Sequence, residues 1–219
     1  HYPLRRQRQM CIRDREYTSN CVIEGLENIP KNGKALLVSN HPMGAADAIA
    51  LYSQIYKARK DVFFFANELF IYLLGSFNNV MAPVVWNDQR EIHSATKLTF
   101  IRLKKFFEDN RIGIIFPSGR LSKLTLFGIW DRSWEKTPVK LAEKYNMPLL
   151  PVFIEGRNSW FFYFASKVSK QLRDVSQLKE LLNKRNKKIK IVIGNPVMRD
   201  QLNKNNQKII SHNYINSCE

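Results

Sequence analysis

The chain has 219 residues, of which 44% are hydrophobic and 12% aromatic, so it can bury the core of one large globular domain, and general disorder is excluded. Its formal net charge of +16 gives the surface a positive field that attracts nucleic acid, anionic lipid headgroups or phosphorylated substrates, without choosing among them. The three cysteines are odd in number and lack metal-type spacing, which argues against a disulfide framework and a zinc site and favours a reducing, cytoplasmic-side setting.

Short apolar runs alternate with helical patterns along the chain. Residues 25–33 are predicted to form an edge segment and a turn, and the tail after Leu202 is weakly specified. The predicted strands are 35–39, 62–66, 80–85, 112–116, 149–154 and 189–193. The predicted helices are 45–57, 69–74, 94–110 and 138–144. This alternation predicts an α/β fold in a single domain, with a mostly parallel or mixed central sheet flanked by helices.

Three parts differ in composition: a basic N-terminal segment at 1–24, a main domain at 25–200 and a polar C-terminal tail at 201–219. Polar residues interrupt the most apolar region, 62–86, and leave stretches far shorter than the ~20 residues that a spanning helix needs. We therefore expect no transmembrane helix. We also expect no secretory signal, because no apolar signal core accompanies the arginine-rich start.

His41 directly follows the predicted strand 35–39, at the carboxyl end where open α/β sheets form their ligand clefts. Asp47 lies six residues further on, near the start of the next helix, where its carboxylate could orient the imidazole and stabilise its protonated form. The pair suits general-base attack of a hydroxyl on a thioester, which requires no metal and no protein nucleophile. The structural alternative is a hydrogen-bonded loop histidine beside a carboxylate that complements the helix dipole.

A second turn, 116–120, follows the predicted strand 112–116. Gly119 would let the backbone approach a ligand, and Arg120 could bind a phosphate or carboxylate through two hydrogen bonds. Ser118 is not predicted to be a hydrolase nucleophile, because the Gly-x-Ser-x-Gly pattern is absent. The alternative is an ordinary Pro-Gly turn with a solvated arginine.

Three short motifs occur in a family-specific order: Asn-His-Pro at 40–42, Phe-Pro-Ser-Gly-Arg at 116–120 and Leu-Pro-Val at 150–152. In this order and approximate spacing the chain resembles the glycerolipid and lysophospholipid acyltransferase family over residues 25–196. The segments 41–47 and 155–159 are most similar to its bacterial haemolysin-type and ornithine-lipid-type branch. The main domain is accordingly interpreted as an acyltransferase domain of the glycerol-3-phosphate acyltransferase-like fold.

The resemblance implies transfer of a fatty acyl chain from acyl-CoA or acyl carrier protein to a lyso-lipid in membrane lipid biosynthesis, with no further cofactor and no metal. It implies that His41 is the base and Asp47 its partner, and that Ser118, Gly119 and Arg120 lie near the acceptor. Two departures stand out. Five residues separate His41 from Asp47 where the family usually has four, so Asp47 needs a different turn before the helix, which Gly44 could provide.

The second departure is Ser118, which replaces the usual glutamate of the motif, while Arg120 directly follows the glycine. This favours an acceptor other than the usual glycerol phosphate, such as a hydroxy-acyl amino-acid lipid. Arg90 occupies the region where the family often has an acceptor-binding arginine, although a solvated arginine is equally ordinary there. A plain turn or part of the cleft rim is predicted for three further residues: Gly156, Arg157 and Asn158.

An aromatic run at 160–164 lies near Lys167, Lys170 and Arg173, a composition typical of an interfacial segment, with buried core as the alternative. We expect peripheral association with an anionic membrane surface on the cytoplasmic side. A nucleic-acid-binding protein is the rival class, suggested by the basic run 184–188, but no recognised binding motif supports it and no nucleic acid is expected. A catalytically silent lipid-binding relative is the third possibility.

Overall fold

A computed structural model describes residues 21–67, 79–84, 92–125, 128–184, 187–198 and 200. The strands, numbered in chain order, are β1 Cys21–Glu24, β2 Ala35–Ser39, β3 Val62–Asn67, β4 Met81–Val84, β5 Ile112–Ile115, β6 Lys123–Thr125, β7 Gly128–Trp130, β8 Leu149–Glu155 and β9 Ile189–Ile193. The helices are α1 Ala45–Ala58, α2 Ile92–Glu108, α3 Thr137–Tyr145, α4 Trp160–Val168 and α5 Lys170–Asn183. A short 3-10 helix covers Leu26–Asn28.

Seven strands form one mixed sheet in the order β1-β9-β8-β2-β5-β3-β4. The strands from β8 to β4 are mutually parallel, whereas β9 is antiparallel to β8 and pairs in parallel with β1. The predicted α/β class with a mostly parallel or mixed sheet is confirmed. β6 and β7 form a separate antiparallel hairpin.

The centre of the sheet is β2, where Leu37 pairs with Ile114 of β5 and with Leu150 of β8. All five residues of β2 are buried, as expected of a parallel strand covered on both faces. One face packs against α1, and the other against α2 and α3. The molecule is therefore a helix–sheet–helix sandwich whose middle strand ends at Ser39, two residues before His41.

Local sequence explains where several helices begin and end. Ser159 caps α4 by accepting a hydrogen bond from the Phe162 N–H at 3.2 Å. Pro138 occupies the first turn of α3, where its missing N–H is harmless, and the helix ends at Asn146 in the left-handed conformation.

One expectation about the elements needs correction. The segment 25–33 contains a 3-10 helix and no edge strand, and the edge strand beside β9 is β1, the last four residues of the segment 1–24. Helices α4 and α5 and the β6-β7 hairpin were not predicted. The predicted helix 69–74, the tail after Leu202 and Arg90 lie outside the described residues.

Candidate active site

Three segments singled out in the sequence meet at one edge of the sheet. The His41 loop follows β2, the turn 116–120 follows β5, and residues 156–158 follow β8. Because β5 and β8 both pair in parallel with β2, the carboxyl ends of all three strands lie side by side. This is the position at which open α/β sheets bind their ligands.

The His41 imidazole approaches the Asp47 carboxylate, with 3.1 Å between Nδ1 and Oδ2. The extra residue between them is accommodated by Gly44, which has φ +81° and ψ −131° immediately before α1. This turn directs the N–H groups of Met43 and Gly44 onto Asp47 Oδ2, at 2.8 and 2.9 Å. The predicted approach of Asp47 to His41 is therefore present, and Gly44 supplies the turn.

Asp47 is fully buried, whereas 19% of the His41 side chain is exposed. Burial raises the pKa of the Asp47 carboxyl, and the His41 imidazole together with the Met43 and Gly44 N–H groups opposes that rise. His41 Nδ1 is close to the carboxylate but is not aligned for a hydrogen bond. The His41 ring stacks on Phe116, with 4.2 Å between centroids, which limits its rotation.

The loop backbone is fixed by residues that the sequence did not reveal. Asp131 Oδ1 accepts hydrogen bonds from the His41 N–H at 3.3 Å and from the Ser122 hydroxyl, while Oδ2 accepts one from the Trp134 indole at 2.9 Å. The Ser122 N–H in turn donates to the His41 carbonyl at 3.0 Å. Asp131 is 90 residues from His41 in sequence, and no local pattern could have indicated this contact.

Asn40 joins the same loop to the neighbouring strand. Its side-chain amide donates to the Ile154 carbonyl at 2.9 Å and accepts from the Ile154 N–H at 2.7 Å. The amide thus extends the pairing of β2 and β8 by one step beyond the strand end. This contact gives a structural reason for an asparagine directly before His41.

The turn after β5 is internally hydrogen bonded. The Ser118 hydroxyl donates to the Arg120 carbonyl at 2.8 Å, and the Gly119 N–H donates to the Phe116 carbonyl at 3.0 Å with φ +60° at Gly119. Ser118 is buried, while the Arg120 side chain is exposed. Of these residues, Arg120 therefore has the side chain most available to a ligand.

The three predicted rim residues lie beside the His41 loop but differ in surroundings. Asn158 is buried and donates from its side chain to the Pro42 carbonyl at 3.3 Å. Gly156 packs so closely on Met43 that an added Cβ would lie 2.5 Å from the sulfur. Arg157 has an exposed side chain, and its carbonyl accepts a hydrogen bond from the Lys184 ammonium.

A buried ion pair supports this rim from α5. Glu180 and Lys184 are each 2% exposed and lie 3.4 Å apart. Glu180 accepts from the Ser159 N–H at 2.9 Å and from the Ser159 hydroxyl. Burial lowers the pKa of Lys184, an effect that the charge of Glu180 opposes. In the sequence, Lys184 belongs to the basic run 184–188, and nothing in that run indicated that its side chain is buried.

The described residues contain neither a metal-binding cluster nor a membrane-spanning helix. The described residues contain no cluster of three or more histidine, cysteine or carboxylate side chains able to bind a metal ion. No helix within the same residues is sufficiently long and apolar to cross a membrane.

Residues 1–209 match the model of a protein family described as Acyltransferase. The chain belongs to this family. It is 33% identical over 182 residues to a lyso-glycine lipid O-acyltransferase of Phocaeicola vulgatus and 29% identical over 184 residues to one of Bacteroides thetaiotaomicron. These alignments cover 80% of the acyltransferase chain but only 63% and 65% of the two relatives.

One further relative and one solved structure share less sequence with the chain. The chain is 26% identical over 140 residues to a 1-acyl-sn-glycerol-3-phosphate acyltransferase of Borreliella burgdorferi, covering 64% of the chain and 53% of that relative. A crystal structure of the 1-acyl-sn-glycerophosphate acyltransferase PlsC from Thermotoga maritima superposes with a TM-score of 0.47 and 18% identity, covering 87% of this chain and 67% of that one. The predicted resemblance to lyso-lipid acyltransferases is confirmed at the level of the family.

Proposed function

We propose that this acyltransferase moves a fatty acyl chain from acyl-CoA or acyl carrier protein to the hydroxyl of a lyso-lipid with an acidic headgroup. The observation that carries the proposal is the approach of His41 Nδ1 to the buried Asp47 carboxylate at the carboxyl edge of the sheet. That contact leaves Nε2 as the nitrogen available to a substrate proton. The names of the relatives support a lyso-lipid acceptor.

In the proposed reaction, His41 Nε2 removes the proton from the acceptor hydroxyl as its oxygen attacks the thioester carbonyl. The new C–O bond gives a tetrahedral intermediate, and Asp47 stabilises the protonated imidazole. The intermediate collapses with cleavage of the C–S bond, and His41 returns the proton to the departing thiolate. The step is balanced without a metal, a redox partner or a covalent protein intermediate.

For the acceptor, a lyso-lipid resembling either lyso-glycine lipid or lysophosphatidate is consistent with the relatives. We favour the amino-acid lipid, because Ser118 stands where the motif usually has a glutamate and because the lyso-glycine lipid enzymes align over more of the chain. Arg120, with its exposed side chain, is the residue of the turn 116–120 to which we assign the acidic headgroup. Arg90 retains the same assignment as a prediction from sequence.

Peripheral membrane association is part of the proposal. On α4, Trp160 is 71% and Phe164 68% exposed, whereas Phe162 and Tyr163 are buried. The interfacial and buried-core interpretations of 160–164 thus describe opposite faces of one helix. Exposed aromatic side chains close to Lys167 suit the headgroup region of an anionic bilayer.

The catalytic proposal is tested with labelled acyl-CoA and acyl carrier protein donors against a panel of lyso-lipids. We expect no transfer by His41→Ala. Asp47→Asn should reduce kcat by about 10²- to 10⁴-fold, because an amide can still accept the loop N–H bonds but cannot stabilise the imidazolium. Asp109→Asn, which removes an exposed carboxylate at the opposite end of the sheet, is the matched control and should retain full activity.

The outcomes separate the candidate functions. Transfer that survives His41→Ala in a folded variant would overturn the assignment of the base. Liposome binding without turnover of any donor and acceptor pair would instead favour a silent lipid-binding relative. Salt-sensitive retention on DNA or RNA, unaffected by His41→Ala, would favour the nucleic-acid-binding class.

Membrane association is tested by cosedimentation with vesicles containing anionic lipid. Replacing Trp160 and Phe164 together by serine should weaken binding at least about tenfold, because both rings lose apolar contact with the bilayer. Phe100→Ser is the control, since Phe100 is an exposed aromatic residue on α2. Equal binding by the double variant and the wild type would refute this docking face.

A further inference from the structure

A cavity of about 680 Å³ lies beside the turn that follows β5. It is open to solvent, and the β6-β7 hairpin and the loop after it provide most of its lining. Its lining includes the predicted acceptor residue Arg120, together with residues that no motif covers: Lys123, Trp130, Asp131, Arg132 and Glu135. The volume suits a lipid headgroup and the first part of its chain.

Two guanidinium groups of this cavity lack a carboxylate partner. Within the described part of the chain, neither Arg120 nor Arg132 forms an ion pair, and Arg132 Nε is buried without a hydrogen-bond partner. Burial lowers the pKa of Arg132, and the positive charges of Arg120 and Arg173 lower it further. Arg132 is therefore repelled by two neighbouring cations, and a bound anion would relieve both this repulsion and the unsatisfied Nε donor.

In the described part of the chain, the carboxylates of the cavity form no ion pair with these arginines. Asp131 uses both oxygens for protein donors, since Oδ1 accepts from the His41 N–H and the Ser122 hydroxyl and Oδ2 from Trp134. Glu135 also lines the cavity without forming an ion pair to either guanidinium. The cavity thus keeps two unpaired arginines next to a residue that is hydrogen bonded to the His41 backbone.

We propose that Arg132 is a second binding residue for the acceptor. Together with Arg120, it binds the carboxylate or phosphate of the acceptor headgroup. The inference rests on the proposed function and deepens it. Planar guanidinium groups match the geometry of both anions through paired N–H donors. Asp131 lines the cavity and accepts a hydrogen bond from the His41 N–H, so the anion site lies beside the loop that carries the proposed base. Trp130 would cover the adjoining apolar part of the acceptor.

The test compares an N-(hydroxyacyl)glycine acceptor with its methyl ester, at a fixed donor concentration. Arg132→Gln should raise the KM for the acid about ten- to hundredfold and reduce the preference for acid over ester by at least about tenfold, as expected for a lost charge-assisted hydrogen bond. Arg132→Lys should retain more of that preference than Arg132→Gln, because lysine keeps the positive charge but lacks the paired N–H donors of the guanidinium group. Lys140→Gln removes a charge from the exposed side of α3 and should retain the preference.

Three results would overturn the inference: an equal loss for acid and ester, an unchanged KM for the acid, or a raised KM for the acyl donor. The last would assign the cavity to the phosphates of the donor. Calorimetric binding of a short-chain N-(hydroxyacyl)glycine in the absence of donor separates this failure from that of the proposed function. Binding that requires Arg132, in a protein whose transfer survives His41→Ala, would leave the inference standing and remove the catalytic assignment. Lysophosphatidate in place of the glycine acceptor distinguishes phosphate from carboxylate recognition.

Discussion

Replacing Gly44 by alanine tests how the chain accommodates the extra residue between His41 and Asp47. Gly44 has φ +81° and ψ −131°, a combination that costs a residue with a Cβ about 1–3 kcal/mol. The new Cβ would lie 2.9 Å from Leu121 Cδ2, the end of a half-buried side chain that can rotate away, so this overlap adds about 0.5–1.5 kcal/mol. The free energy of unfolding should therefore fall by about 1.5–4.5 kcal/mol.

Activity should fall with it, because the Gly44 N–H donates to Asp47 Oδ2 at 2.9 Å and a shifted turn would move the carboxylate away from His41. Urea unfolding gives the stability change, and initial acyl-transfer rates give kcat. Gly33→Ala is the matched control. Gly33 has φ +84°, but a Cβ added there would meet no atom within 4 Å, so only the conformational cost of about 1–2 kcal/mol should appear, with normal activity.

Adding Leu121→Ala to Gly44→Ala separates the two contributions, since it removes the side chain that the new Cβ would meet. The double variant should regain stability relative to the sum of the two single losses. If Gly44→Ala is no less stable than Gly33→Ala and has the kcat of the wild type, the turn is not what aligns Asp47 and this reasoning is refuted.

Two further predictions concern the rim. Gly156→Ala should affect kcat more than the free energy of unfolding, because its Cβ would displace Met43, whose N–H donates to Asp47 Oδ2. Met43→Ala in the same chain should restore activity, and an unchanged rate in Gly156→Ala would contradict this packing. Glu180→Gln should cost about 3–5 kcal/mol at neutral pH by leaving Lys184 buried without its partner, and Lys184→Met should recover part of it. Burial alone would raise the pKa of Glu180, but hydrogen bonds from Ser159 and the charge of Lys184 lower it overall. The stability difference between wild type and Glu180→Gln should therefore shrink as the pH falls below about 4.3, which urea titrations at several pH values measure.

The strands that could be predicted from sequence are those whose own residues show that both faces are buried. Ala35–Ser39 and Ile112–Ile115 are continuous apolar runs because helices cover both faces of the sheet. β1 has only four residues and depends on its parallel partner β9 for its pairing, so no local signal distinguished it from the basic segment before it. Helix α5 begins at Lys170 among polar residues. The buried Glu180 in this helix and Lys184 directly after it resemble solvated surface charges until their partners are known.

The residues of the site also divide into those with a local sequence signal and those that depend on distant partners. Residues carried by short motifs, such as His41, Asp47 and Asn158, were found because neighbouring parallel strands bring the segments that follow them to one sheet edge. Asp131 was not found, because its contact with the His41 N–H arises only when the β6-β7 hairpin brings Asp131 beside Ser122 and the His41 loop. A residue that holds another residue's backbone from a distant part of the chain leaves no spacing pattern near it in the sequence.

The fold links the departures from the family pattern to one another. With five residues between His41 and Asp47, the carboxylate is reached only through the Gly44 turn, and that turn packs on Leu121 from the segment after Arg120. The loop after β5 therefore supports the His41 turn on one side and lines the arginine cavity on the other. The loop after β5 therefore carries the altered acceptor motif and also contacts the turn that accommodates the longer His41–Asp47 spacing. The packing of Leu121 on the Gly44 turn therefore couples the loop that carries His41 to the loop that carries Arg120.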